Sequence, residues 1–211
     1  MEKGVRTWLV YLVGLAILVG AGGLCGEARG EMVLTYGGSF DLPIPADPEA
    51  TEGWMEDAII TVTDHIVIAD LDVGVNLQHT GVFDLKLSIT SPSGTTVLLN
   101  MYDPFFGYFD GDNYQSTTFD DEASRSITEG QAPFAGSYRP LDALSAFDGE
   151  DAYGDWHLEI FDAWPMDTGT LTSFRLVITT PEPATGVLLL LGAGLWRRQC
   201  GGRASSGDGR R

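Results

Sequence analysis

The sequence predicts an all-β fold, a two-layered β-sandwich. Three observations carry that prediction. Apolar residues recur with a period of two in several short runs, as in Val73-Gly74-Val75-Asn76-Leu77 and Trp156-His157-Leu158-Glu159-Ile160. Such alternation turns one side of an extended segment toward a core and the other toward water. Clusters of Gly, Pro, Asp and Ser punctuate the runs, as turns require. The helical repeat is absent between Glu31 and Thr180, so the layer that covers one sheet must be a second sheet.

The elements follow in chain order. Lys3 and Arg6 precede an apolar run, Trp8 to Leu24, and Ala28-Arg29-Gly30 supplies small residues. That order marks residues 1–30 as a signal peptide cut after Gly30, with Ala21-Gly22-Gly23 as the alternative site. Cys25 follows Leu24, where a lipidation motif requires a small residue. Met32 to Tyr36 reads as an edge strand. Pro43, Pro45 and Pro48 come next and forbid a central strand there. Ile60 and Val62 begin the next strand, and Ile66 and Ile68 extend the sheet. From Val73 to Asn100 three antiparallel strands are expected in one sheet. The first carries Val73, Val75 and Leu77; the second Leu85, Leu87 and Ile89; the third Val97 and Leu99. Ser91-Pro92-Ser93-Gly94 supplies the turn between the last two, because Pro presets φ and Gly tolerates φ > 0.

Asn100 to Phe119 reads as a long loop. Tyr102, Phe105, Phe106, Tyr108 and Phe109 crowd its first half, either to cover an open end of the sandwich or to form a ligand-binding patch. Glu129 to Glu150 reads as a second long connection. Trp156, Leu158 and Ile160 mark a strand, Asp162 to Gly169 a turn, and Phe174, Leu176 and Ile178 the last strand. Leu171 falls out of phase with that last set, which predicts a bulge.

The chain has 211 residues and a net charge of −18, a length that suits one domain with appendages. Between Glu31 and Thr180 four cations, Lys86, Arg125, Arg139 and Arg175, face 26 carboxylates, a net of −22. That surface excludes nucleic acid, which demands cationic patches. It suits solubility and hard cations. The two cysteines, Cys25 and Cys200, lie outside that span, so no disulfide framework supports the domain and its core must suffice.

Several spaced strings together resemble the P/Homo B domain, which follows the catalytic domain in kexin- and furin-like proprotein convertases. They are His79-Thr80, Asp84-Leu85, Ser91-Pro92-Ser93-Gly94-Thr95, Thr117-Thr118-Phe119-Asp120-Asp121-Glu122-Ala123, Ala132-Pro133-Phe134, Gly136-Ser137-Tyr138-Arg139-Pro140, Gly154-Asp155-Trp156-His157-Leu158 and Asp167-Thr168-Gly169-Thr170-Leu171. The resemblance runs from about Tyr36 to Thr179. It implies a jelly-roll sandwich over residues 31–180. Residues 181–211 resemble a PEP-CTERM sorting signal: Pro181-Glu182-Pro183, an apolar stretch from Val187 to Trp196, and Arg197-Arg198. As a helix, Ala184 to Trp196 spans only ~20 Å against ~30 Å of hydrocarbon. It suits transient presentation to a membrane enzyme, which in that family is an exosortase. The polar tail Gln199 to Arg211 is longer than the pattern expects.

No catalytic centre is legible. A serine triad needs a base and a nucleophile elbow; only His65, His79 and His157 offer the base, and no Gly-x-Ser-x-Gly occurs. Ser93 sits in a hairpin turn. His79 takes a structural place beside the sheet, His157 points outward, and the histidine spacing does not suggest zinc. The best site candidate is a set of oxygen ligands, Asp110, Asp112, Asn113, Asp120, Asp121 and Glu122. Calcium takes 6–8 oxygens from irregular loops, and the resemblance implies calcium as well; a solvated acidic loop is the alternative. The expectation is a secreted, non-catalytic protein of the cell surface or extracellular matrix of a Gram-negative-type bacterium. Signal peptidase and exosortase act on it during export, the membrane is met only through the termini, and the sandwich binds a surface protein or polysaccharide. The alternative is an accessory P-domain acting with a separate subtilisin-like serine endopeptidase.

Overall fold

The computed structural model describes residues 32–47, 49–50, 52–101, 111–164 and 167–181. Among them the chain forms ten strands: β1 (Met32–Ile44), β2 (Gly53–Trp54), β3 (Ala58–Val62), β4 (Asp70–His79), β5 (Leu85–Thr90), β6 (Thr96–Asn100), β7 (Tyr114–Phe119), β8 (Phe134–Tyr138), β9 (Gly154–Asp162) and β10 (Gly169–Thr180). Helical structure among these residues is confined to three short 3-10 turns, at Val82–Asp84, Ile127–Glu129 and Leu144–Phe147. The expected all-β sandwich is therefore what the chain builds. One sheet runs β1-β10-β4-β7-β8; the other runs β2-β9-β5-β6, with β3 also paired to β9.

The two inner faces supply the core. Val73, Val75, Leu77, Phe174 and Leu176 of the first sheet join one buried cluster with Leu85, Leu87, Ile89, Trp156, Leu158 and Ile160 of the second. These are the residues that the period of two singles out. Trp156 is fully buried; its indole N–H donates to the carbonyl of Ala152 at 2.9 Å. Its ring meets Phe147 edge-on at 5.1 Å. Among the described residues β1 sits at a sheet edge and pairs only with β10, where Pro43 costs no ladder bond to a second neighbour.

The turn Ser91 to Thr95 closes the β5–β6 hairpin as expected. Gly94 adopts φ +89°, and the amide of Ser91 bonds the carbonyl of Thr95 at 2.8 Å. Glu150 holds this hairpin from outside, accepting from Ser91 Oγ at 2.7 Å and from the Thr95 hydroxyl. The bulge expected at Leu171 is present: the register of β10 against β4 shifts between Leu171 and Ser173.

The expectations for Val73 to Asn100 and for the two long loops need correction. β4 and β5 do not share a sheet. At Gly81 the chain enters the 3-10 turn Val82–Asp84 and crosses from the first sheet to the second. The supposed loop before Phe119 contains β7. Ser116 takes φ +53°, and the register against β8 shifts between Gln115 and Thr117. That irregularity moves the buried set from Tyr114 to Thr117 and Phe119 and breaks the alternation by which a strand is recognised. Likewise β8 lies within the supposed connection from Glu129 to Glu150. It runs parallel to β7, and its middle three residues are exposed. The crowded aromatics Tyr102, Phe105, Phe106, Tyr108 and Phe109 lie outside the described residues.

Candidate functional site: an acidic groove on the first sheet

Asp70 and Asp72 open β4 and alternate with the buried Leu71 and Val73, so both point out of the first sheet. Phe119 lies opposite Val73 in the neighbouring β7, which brings the next residue, Asp120, beside Asp72. There the chain turns: Asp120 Oδ1 accepts from the amide of Glu122 at 2.7 Å, and the amide of Ala123 bonds the Asp120 carbonyl at 3.1 Å. The turn folds Glu122 back toward β4. Thr179, opposite Asp70 on β10, forms the far wall. The result is a hollow of about 380 Å³ lined by Ala69, Asp70, Asp72, Asp120, Glu122 and Thr179.

Four carboxylates in one hollow work against one another. The carboxyl of Asp72 is pushed up to about 6, first by partial burial and then by the charges of Asp120, Asp70 and Glu122. Asp70 and Glu122 are raised as well, again by burial first, with repulsion from neighbouring carboxylates adding to it. The one described cation that relieves Asp72 is Arg175. Its side chain lies across Gly74 and donates to Thr118 Oγ1 at 3.3 Å. A groove of this kind attracts a cationic group.

Of the six ligands expected from the sequence, the five that are described do not form one constellation. Asp120 and Glu122 belong to the groove. Asp121 points elsewhere: its two oxygens accept from the amides of Leu144 and Ser145 at 3.0 and 2.9 Å, fixing the 3-10 turn there. Asn113 Oδ1 accepts from the amide of His79 at 3.0 Å. Asp112 and Asn113 precede β7, whereas Asp120 to Glu122 follow it. At ~3.3 Å per residue that separation is roughly 20 Å, too far to share an ion. Asp110 lies outside the described residues. No three His, Cys, Asp or Glu side chains among the described residues are arranged to hold a metal ion. Pro181 follows β10 and is exposed; Glu182 and Pro183 lie outside the described residues.

Sequence reading missed Asp70 and Asp72. Their outward alternation was visible, but only the register of β4 against β7 shows that they meet Asp120. Each histidine is paired with an aspartate: His65 Nδ1 with Asp151 at 2.7 Å, His79 Nε2 with Asp162 at 3.2 Å, and His157 Nδ1 with Asp57 at 3.3 Å. His79 is buried, as its structural place requires, and His157 is partly exposed.

Residues 68–178 match the family model described as the proprotein convertase P-domain. That range runs from the approach to β4 to within two residues of the end of β10 and contains all the groove residues but Thr179. Comparison with curated proteins finds no match. Among solved structures, the chain is similar to a serine protease of Aeromonas sobria, at 16% identity and a TM-score of 0.39, over 85% of this chain and 28% of that one. It is similar also to a complex of Aeromonas sobria serine protease with a chaperone, at 15% identity and a TM-score of 0.39, over 86% of this chain and 28% of that one. The chain thus spans less than a third of the length of these structures.

Proposed function

The chain belongs to the proprotein convertase P-domain family, and on that premise we propose that its sandwich is a non-catalytic binding module whose acidic groove receives a cationic group of a separate protein. The convergence of Asp70, Asp72, Asp120 and Glu122 in one hollow carries this reading. Their mutual repulsion is relieved when a lysine or arginine side chain of a partner enters. The sequence supports the non-catalytic part, because it holds no Gly-x-Ser-x-Gly nucleophile elbow.

The family match favours one class of partner, a separate serine endopeptidase of the convertase type that this chain would assist as an accessory domain. Delivery outside the cell through residues 1–30 and the Pro181-Glu182-Pro183 tail belongs to the same proposal; with the exception of Pro181, these segments lie outside the described residues.

The test is capture from the exported proteins of the native host by the immobilised full chain. A variant with Asp70→Asn, Asp72→Asn, Asp120→Asn and Glu122→Gln serves as the control. A partner that salt elutes from the natural chain and that the variant fails to hold supports the reading. A partner bound equally by both, or held independently of salt, overturns the role of the groove. Peptide hydrolysis that follows the chain through purification and disappears in His79→Ala would overturn the non-catalytic assignment.

A further inference from the structure

The end of β4 remote from the groove carries a second acidic cluster, in which Asp84 and Asp162 are buried and Asp167 is partly exposed. Asp84 ends the 3-10 turn after Gly81 and is 0% exposed, yet neither carboxylate oxygen has a hydrogen-bond partner. A carboxylate left this way costs its full desolvation unless it is neutralised. The groups facing it are His79 from the end of β4, Asp162 from the end of β9 and Asp167 from the turn before β10.

His79 makes no hydrogen bond to Asp84. Its Nδ1 lies 3.0 Å from the carbonyl oxygen and 3.1 Å from the amide nitrogen of Gly81, and its Nε2 pairs with Asp162 at 3.2 Å. The other oxygen of Asp162 accepts from the amide of Trp164 at 3.2 Å. Asp167 stands in side-chain contact with Asp84, and its Oδ1 accepts from Thr80 Oγ1 at 2.6 Å. Two carboxylate oxygens both accept, so their contact becomes a hydrogen bond only when one of them is protonated. The surroundings are tight: a Cβ on Gly81 would come within 2.7 Å of Asp167 Oδ2.

We propose that Asp84 and Asp167 share one proton, that this proton latches the turn at residues 80–84 to Ala163 and to Asp167-Thr168, and that its loss loosens this end of the sandwich. The latch has further parts on both sides. The amide of Thr80 bonds the carbonyl of Thr168 at 3.3 Å, the amide of Thr168 bonds Thr80 Oγ1 at 3.3 Å, and the amide of Ala163 bonds the carbonyl of Asp84 at 3.0 Å. Burial, followed by the charges of Asp162 and Asp167, pushes the carboxyl of Asp84 up to about 7. A folded-state value raised above the unfolded one favours folding while the proton is held, and that advantage is lost as pH rises through the folded value. The latch is therefore closed in acid and opens near neutrality.

The test follows the aspartate carboxyl carbons of the full chain by NMR from about pH 5 to about pH 9. The spectra are taken in chelator and again in calcium. Hydrogen exchange of the Thr80 and Thr168 amides is measured over the same range. One carboxyl, absent in Asp84→Asn, is expected to titrate at about 7. Exchange of both amides should quicken above that midpoint in the natural chain and stay flat in Asp84→Asn, whose side-chain amide donates to Asp167 at every pH. Asp167→Asn, which supplies a permanent donor to Asp84, should lower the midpoint. The natural chain alone decides the matter should either variant fail to fold. The proposal is overturned if no aspartate titrates near neutrality, if the amides exchange without regard to pH, or if calcium displaces the titration, since a cation would then hold the place assigned to the proton.

Discussion

Replacing Asp72 with asparagine tests whether the groove stores repulsion. Asp72 sits half-buried among Asp70, Asp120 and Glu122, and its carboxyl lies at about 6 instead of 3.8. Each unit of displacement corresponds to about 1.4 kcal/mol, so the ceiling is about 3 kcal/mol. Solvent reaches the groove and screens it, which reduces the expected effect to about 1 kcal/mol. The sign follows from linkage. Between the ordinary aspartate value and about 6 the folded chain holds more protons than the unfolded one, so stability falls as pH rises through that window and stays low above it. A neutral amide in place of the carboxylate carries no charge to repel. The full-length Asp72→Asn variant should therefore match the natural chain at about pH 4 and exceed it by about 1 kcal/mol at about pH 8. In a thermal melt that gain is about 2–4 °C for a chain of this size. Raising sodium chloride toward about 1 M should remove the part due to the neighbouring carboxylates, because the Debye length falls to about 3 Å, and leave the part due to burial. A gain that is the same at both pH values, or that high salt leaves wholly unchanged, would refute the argument that the carboxylates repel. A loss at about pH 8 would mean that the attraction of Arg175 outweighs the three carboxylates.

Trp156→Ala removes the largest fully buried side chain and leaves the Ala152 carbonyl without its donor; urea denaturation should show a loss of about 3–5 kcal/mol. Glu150→Ala deletes the two bonds that hold the Ser91–Thr95 turn from the neighbouring loop. It should cost about 1–3 kcal/mol by the same measurement, and quicken hydrogen exchange at the β5–β6 hairpin before it affects the first sheet. Intact mass of the protein from the outer fraction of its native host should lack residues 1–30 and the basic tail. A species that retains Arg197 to Arg211 there would contradict processing through Pro181-Glu182-Pro183.

What the sequence discloses is parity within one strand; what it hides is which strands are neighbours. Val73, Leu85, Leu87, Trp156, Leu158 and Leu176 alternate with polar residues over several positions, and all six are buried. β7 stayed hidden because its buried residues, Tyr114, Thr117 and Phe119, change parity at Ser116. β8 stayed hidden because Phe134 and Tyr138 bracket three exposed residues. The same distinction governs the groove. Asp120 and Glu122 drew notice for their local density of oxygens, and density also swept in Asp112, Asn113 and Asp121, which the fold places elsewhere. Asn113 and Asp121 are spent on backbone amides that only the folded chain brings near. Asp70 and Asp72, far off in sequence, complete the groove because β4 and β7 pair in one register; a slip of one residue would turn both carboxylates into the core. The buried residues of β4 and β7 forbid that slip, so the hydrophobic pattern of the two strands holds the four charges together despite their repulsion.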